Sequence, residues 1–196
     1  MAISWDTGTK LGVIALSNLW GIWEGRLSSL NRKRAEVQHG QVSDQGSLAW
    51  IFVAVFVGIF IACFFAFSGK GALCPLEAWV ALGLVLMGMG FAIRFTAMRA
   101  LARHFTHRVT ILSGHSLIRT GIYRFIRHPA YLGQLMMMVG IGTALANIYA
   151  IVLAPLPVVA ALFIRIRIEE RALAQHFGPE YKAYCEATSR LLPFVW

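Results

Sequence analysis

Residues 127–164 read RHPAYLGQLMMMVGIGTALANIYAIVLAPLPVVAALFI, and from Pro129 to Ile164 no side chain is charged. As one helix those thirty-six positions would be ~54 Å long, well beyond a hydrocarbon core of ~30 Å. The run is therefore expected to fold as a hairpin of two crossings, with its turn near Ala146-Asn147. Arg127-His128 stands directly before it, where the chain enters the membrane. Ionisable groups at that boundary cost free energy unless hydrated or paired, so they mark a functional position. A basic flank that merely anchors to lipid would need only Arg124 and Arg127. His128 and Tyr131 are surplus to that purpose and point to a site.

Composition agrees with a membrane chain. Of 196 residues, 58% are hydrophobic and 14% charged, against about 25% charged in an ordinary soluble domain, and mean hydropathy is +0.64. A net charge of +9 would suit nucleic acid, but the basic residues alternate with long apolar spans and form no stripe on a soluble surface. No nucleic-acid partner is expected. The cysteines, Cys63, Cys74 and Cys185, lack metal-ligand spacing, and no metal is expected. Asp6 and Lys10 come too early for a cleavable signal peptide.

Residues 48–67, LAWIFVAVFVGIFIACFFAF, supply twenty uncharged positions, the ~20 that one crossing requires. Residues 72–93 form another span, interrupted only by Glu77. Residues 11–25 are a weaker one, uncharged from Leu11 to Trp23. With the hairpin, these make about five transmembrane helices in an all-α integral membrane protein: three in residues 1–93 and two in residues 94–196. If the amino terminus is outside, Lys10 and Lys70 are alone there among the 18 basic residues, and sixteen face the cytoplasm, as the positive-inside rule asks. Segments 94–128 and 165–196 then meet at the cytoplasmic face. The first is expected to continue the third span into an interfacial helix broken at Ser113-Gly114. The second reads as a helix stopped at Gly178, with another starting at Pro179 and ended by Pro193.

Several motifs have plain readings. His104 and His107 lie at helical spacing, and a polar interfacial face explains them better than a metal does; the His boxes of membrane di-iron oxidases are absent. Gly88-x-Gly90 and Gly140-x-Gly142 lie inside spans, where close helix packing is the natural use. No GxGxxG follows a strand, so there is no Rossmann fold. Glu169 stands one turn after Arg165, and an ion pair worth a few tenths of a kcal/mol would account for both.

From residue 90 onward, however, the chain resembles the isoprenylcysteine carboxyl methyltransferase family of S-adenosylmethionine-dependent membrane enzymes. The resemblance rests on HSLIRTGIY (115–123), RHPAYLG (127–133), IEE (168–170), HFGPEY (176–181) and RLLP (190–193), in that order. It implies cytoplasmic cofactor-binding segments unlike those of a Rossmann methyltransferase. His115, Ser116, Leu117 and Ile118 resemble the family loop that wraps S-adenosyl-L-methionine, and Tyr123 its aromatic contact. His128, Pro129, Ala130 and Tyr131 resemble the second stretch lining that pocket, Glu169 the acidic cofactor ligand, and Arg165 the catalytic residue facing the substrate carboxylate. Thr110 stands where animal members place a glutamine. The partners implied are membrane lipids and a lipophilic methyl acceptor entering from the bilayer. The implied activity is methylation of an isoprenylcysteine-type carboxylate.

The chemistry suits those residues. A carboxylate is already a nucleophile at neutral pH and a thioether leaves as a neutral group, so alignment and desolvation carry the reaction. Arg165 offers a planar, permanently charged fork to a carboxylate. Tyr123 and Tyr131 suit a cationic sulfonium or adenine, and Glu169 can accept from ribose hydroxyls. Phospholipid N-methyltransferases share the RHPxYxG-and-glutamate pattern, but their amine must lose a proton. Sterol reductases need more spans. A non-catalytic membrane scaffold would leave the His115–Tyr131 and Arg165–Glu169 pairing without a use.

Overall fold

Small side chains face inward and aromatic ones outward along the helix Ser47–Ser68. Ser47, Ala54, Gly58, Ala62 and Ala66 are buried, while Trp50, Phe56, Phe60 and Phe64 are each more than 60% exposed. Water would drive the opposite arrangement. In lipid, apolar burial gives helices no reason to associate, and small residues that allow close backbone approach form the contacts instead. The protein is an integral membrane protein. The computed structural model describes residues 5–37, 41–42, 46–101, 110–111 and 117–192, with residues 5–6, 31–37, 41–42 and 110–111 described by backbone alone.

The elements in order are α1 (Trp5–Val37), β1 (Gln41–Val42), α2 (Ser47–Ser68), α3 (Leu76–Leu101), β2 (Thr110–Ile111), a 3-10 turn (Gly121–Arg124), α4 (Pro129–Ala144), α5 (Ile148–Leu153), α6 (Pro155–Phe177) and α7 (Pro179–Ala187). The fold is helical, and the two-residue strands pair antiparallel, Gln41 with Ile111 and Val42 with Thr110. Among the described residues, three segments are long and apolar enough to cross a membrane: Ser47–Ser68, Leu76–Leu101 and Ile148–Phe177. The other two expected spans are both helical, one within the 33 residues of α1 and the other as the 16 residues of α4.

The hairpin turns where the sequence places it. Ala146 adopts φ 49°, and Asn147 caps α5 by accepting from the Ala150 N–H at 3.1 Å. The Asn147 amide also donates to the Phe65 and Lys70 carbonyls at 3.0 and 2.7 Å, pinning the turn to the last turn of α2 and the loop after it. At the other end α6 runs unbroken past Ile164 to Phe177, and Gly178 (φ 55°) separates it from Pro179, the first residue of α7. Helix α7 ends at Ala187, short of the stop expected at Pro193, because Thr188 is extended and Ser189 joins the chain before α4. Ser113-Gly114 and Pro193 lie outside the described residues.

Helices α3 and α4 pack backbone to backbone. A Cβ on Gly83 would stand 2.2 Å from the Ala144 nitrogen, one on Gly90 2.6 Å from the Gly133 oxygen, and one on Gly133 2.5 Å from the Gly90 oxygen. Gly140 and Gly142 are equally tight, so the packing reading holds for them and for Gly90. Gly88 has nothing within 4 Å; its side of α3 faces away from the seam. Gly133→Ala is expected to cost about 1–3 kcal/mol of stability through overpacking, seen as a lower Tm in detergent, whereas Gly88→Ala should cost nothing measurable. The seam fixes where α4 begins, and therefore where Arg127–Tyr131 sits.

Candidate active site at the ends of α4 and α6

The unbroken run of α6 carries Arg165, Glu169 and Glu170 out of the apolar zone on one rigid helix. Arg165 is 2% exposed. Its Nε donates to the Tyr131 hydroxyl at 2.8 Å and its Nη1 to the Ser47 Oγ at 2.7 Å. The Tyr131 hydroxyl in turn donates to the Glu169 Oε2 at 2.6 Å. One phenol from the first turn of α4 thus stands between the arginine and the glutamate of α6. His128 stacks on that phenol, with ring centroids 5.5 Å apart and planes 14° from parallel. Its Nδ1 lies 3.8 Å from Glu169 and its Nε2 3.4 Å from Glu170.

The adjacent glutamates do different work. Glu170 accepts from the Arg127 Nε at 3.0 Å and from the Arg190 Nε at 3.0 Å, with His128 beside them. Arg127 also donates to the carbonyls of Cys185 and Thr188. Backbone bonds complete the clasp: Arg127 N to Ser189 O at 2.8 Å, His128 N to Arg190 O at 3.0 Å and Ser189 N to Phe125 O at 3.2 Å. Glu170 is therefore the centre of a strap tying residues 188–190 to the segment before α4. The Glu169 side chain is 30% exposed against 13% for Glu170, which leaves Glu169 the more open to a ligand.

The structure gathers His128, Tyr131, Arg165 and Glu169. Pro129 opens α4, and the Ala130 carbonyl accepts from the Arg94 Nη1 at 3.0 Å. Tyr123 packs with Ala130 in an apolar cluster with Ala97 that Ile118 also joins. Its hydroxyl donates to the Ala97 carbonyl at 3.4 Å, and its own carbonyl accepts from the Tyr184 hydroxyl at 2.8 Å. Burial pushes the Tyr184 phenol up to about 12, so it stays a donor. Leu117 is half-buried in the irregular stretch before the 3-10 turn. His115 and Ser116 lie outside the described residues, and Thr110 is described only as backbone in β2.

Sequence reading missed two contributions from the amino-terminal helices. Ser47, the first residue of α2, reaches Arg165. Glu24 of α1 and Arg94 of α3, both under 9% exposed, form a two-pronged pair at 2.5 and 2.8 Å, and Arg94 also holds Ala130. A signal was present: Glu24 and Arg94 are ionisable residues at the ends of apolar runs, where an unpaired charge is costly. Arg165 and Glu169, read from the sequence as an ion pair, each bond the Tyr131 hydroxyl instead.

Residues 81–175 match the sequence model of the Isoprenylcysteine carboxyl methyltransferase (ICMT) family. The chain resembles that family over this stretch, which runs from within α3 into α6. It is 38% identical over 115 residues to a probable protein-S-isoprenylcysteine O-methyltransferase of Oryza sativa subsp. indica, covering 58% of this chain and 60% of that one. It is 34% identical over 140 residues to the protein-S-isoprenylcysteine O-methyltransferase of Saccharomyces cerevisiae, covering 67% and 54%. A solved structure of the eukaryotic intramembrane Ras methyltransferase ICMT superposes with a TM-score of 0.58 at 26% identity, covering 73% of this chain and 52% of that one. The chain thus spans about three fifths of the rice relative and about half of the yeast one. The ICMT match includes Arg94, Tyr131, Arg165 and both glutamates, and leaves out Glu24, Ser47, α7 and the strap.

A methyltransferase family such as the one matched implies a methyl donor, and the groups gathered at this site fit one. Glu169 presents a partly open carboxylate beside two aromatic rings. Among the described residues the buried Tyr181 hydroxyl has no hydrogen-bond partner. Burial, then the nearby Glu170, Cys185 and Glu169, push that phenol up, so it remains an O–H donor that lacks an acceptor. A buried donor of this kind is costly unless a ligand or solvent atom meets it.

Proposed function

We propose that the chain transfers a methyl group from S-adenosyl-L-methionine to the carboxylate of a lipophilic, isoprenylcysteine-type acceptor on the cytoplasmic side of the membrane. The observation that carries this reading is the Arg165–Tyr131–Glu169 bridge, which holds a permanent cation and an open carboxylate on either side of one phenol. The donor would supply an electrophilic methyl on a cationic sulfur. Glu169 accepts from its polar hydroxyl or amine groups, and the stacked His128 and Tyr131 rings give an aromatic wall beside them. Arg165 orients the acceptor carboxylate through its guanidinium. By the family resemblance, His115 to Ile118 and Tyr123 are the further residues expected to contact the donor.

No general base is needed. A cation and an anion react to give neutral products, so the transition state is less charged than the reactants and a dry site favours it. The burial of Arg165 supports that environment. Residues 94–196 form the transferase core in this reading, and the helices of residues 1–93 shape the path by which the acceptor arrives from the bilayer. The excess of basic residues on the site's side supports a cytoplasmic orientation.

Purified protein given radiolabelled S-adenosylmethionine is expected to label a farnesylcysteine analogue and not a phospholipid extract. Glu169→Gln should abolish that label by weakening donor affinity in calorimetry. Label in the phospholipid fraction alone would transfer the reading to an amine acceptor. Donor binding with no label anywhere would overturn it.

A further inference from the structure

Three arginines at the site's end of the bundle turn outward. Arg99 lies over the Phe95 ring at 5.6 Å from its centroid, Arg124 over Phe125 at 5.7 Å and Arg167 over Phe163 at 4.1 Å. The arginines are exposed, and the phenylalanines are 40%, 61% and 41% exposed in turn. Among the described residues none of the three arginines has a carboxylate partner. They differ from Arg94, Arg127 and Arg165, which turn inward to Glu24, Glu170 and Tyr131.

Contacts between the elements set all three at one level. Arg94 reaches Ala130, and Arg165 reaches Tyr131, the next residue, so α3 and α6 are aligned at those positions. Arg167 is two residues beyond Arg165, a rise of ~3 Å, and Arg99 five beyond Arg94, ~7.5 Å. Arg124 follows Tyr123, whose hydroxyl bonds Ala97, two residues before Arg99. The arginines therefore ring the bundle within about two helical turns along its axis. At the opposite end the described cations are Lys10, over Phe67 at 5.9 Å and bonded to the Ala66 carbonyl, and Lys70.

We infer that Arg99, Arg124 and Arg167, each seated on its own phenylalanine, form a belt that binds the headgroups of acidic phospholipids in the leaflet on the site's side. The exposed ring belongs in the upper hydrocarbon, and the arginine stem lies along it and lifts the charge to the boundary. A guanidinium stacked on a ring face keeps its edge N–H donors free, and a phosphate takes two of them at once. A zwitterionic headgroup sets an ammonium beside its phosphate and repels that charge, whereas an acidic headgroup does not. The belt is thus expected to select net negative lipid. This inference rests on the membrane fold alone and holds whatever the acceptor proves to be.

The test is lipid retention by the full-length protein in detergent supplied with equal phosphatidylglycerol and phosphatidylcholine, read by native mass spectrometry. At ~1 kcal/mol for each arginine near an acidic surface, wild type should favour phosphatidylglycerol by roughly tenfold or more, and Arg124→Gln alone should lower that preference about fivefold. The triple variant Arg99→Gln, Arg124→Gln, Arg167→Gln should retain both lipids equally, with its Tm in phosphatidylcholine unchanged. The matching triple lysine variant should keep most of the preference. Equal retention by wild type, or undiminished preference in Arg124→Gln or the triple glutamine variant, overturns the inference.

Discussion

Arg165→Lys is expected to lower methyl transfer on the order of a hundredfold, the ~3 kcal/mol associated with losing a charge-assisted hydrogen-bonded fork. Donor affinity should stay near that of wild type. Lysine keeps the charge, so the buried environment still holds a cation. It cannot reach Tyr131, Ser47 and an acceptor carboxylate together, because a single ammonium replaces a planar fork whose Nε and Nη1 already point to two fixed hydroxyls. Calorimetry with donor alone and single-turnover transfer to a prenylcysteine analogue separate the two effects. Nearly full activity would end the carboxylate-clamp reading. A parallel loss of donor affinity would instead assign Arg165 to the donor through Tyr131 and Glu169.

The second large effect separates two neighbouring glutamates. Glu170→Gln removes the charge on which Arg127, His128 and Arg190 converge, and leaves the largely buried Arg127 without its counter-ion. Breaking such a pair costs about 3–5 kcal/mol, so a steep fall in Tm and release of the 188–190 strap are expected. Glu169→Gln should leave stability within about 1 kcal/mol, since an amide oxygen can still accept from the Tyr131 hydroxyl. Its effect belongs on donor affinity, because the amide NH2 cannot accept from a ligand hydroxyl. Thermal unfolding and donor calorimetry on both variants check this. The reverse pattern would exchange the roles of the two residues.

Side-by-side glutamates at 169 and 170 look equivalent in the sequence. On α6 they point about 100° apart, and what each meets depends on which elements lie at either side. Glu170 meets Arg127 from before α4 and Arg190 from beyond α7; Glu169 meets Tyr131. No local pattern distinguishes them. In the same way Arg124 and Arg127 read as equal members of a basic flank, yet Arg127 is clasped inside by Glu170 and Thr188 while Arg124 lies outside on Phe125.

The sequence by itself determined the main helices and several of their breaks. Uncharged runs set α2 and α3, the excess length of the run from Pro129 set the hairpin, Asn147 set its turn, and Gly178-Pro179 divided α6 from α7. Each follows from side chains within a turn or two of one another, where solvent preference and backbone geometry are local quantities. Only the tertiary structure decided that Tyr131 bridges Arg165 and Glu169, that Ser47 reaches Arg165 across 118 positions of chain, and that Glu24 pairs with Arg94 across 70. A buried polar group must find a partner, but which one it finds depends on how whole helices are aligned. Here that alignment is set by the backbone contact of Gly83 and Gly90 on α3 with Ala144 and Gly133 on α4, a constraint of shape that no single residue's chemistry announces.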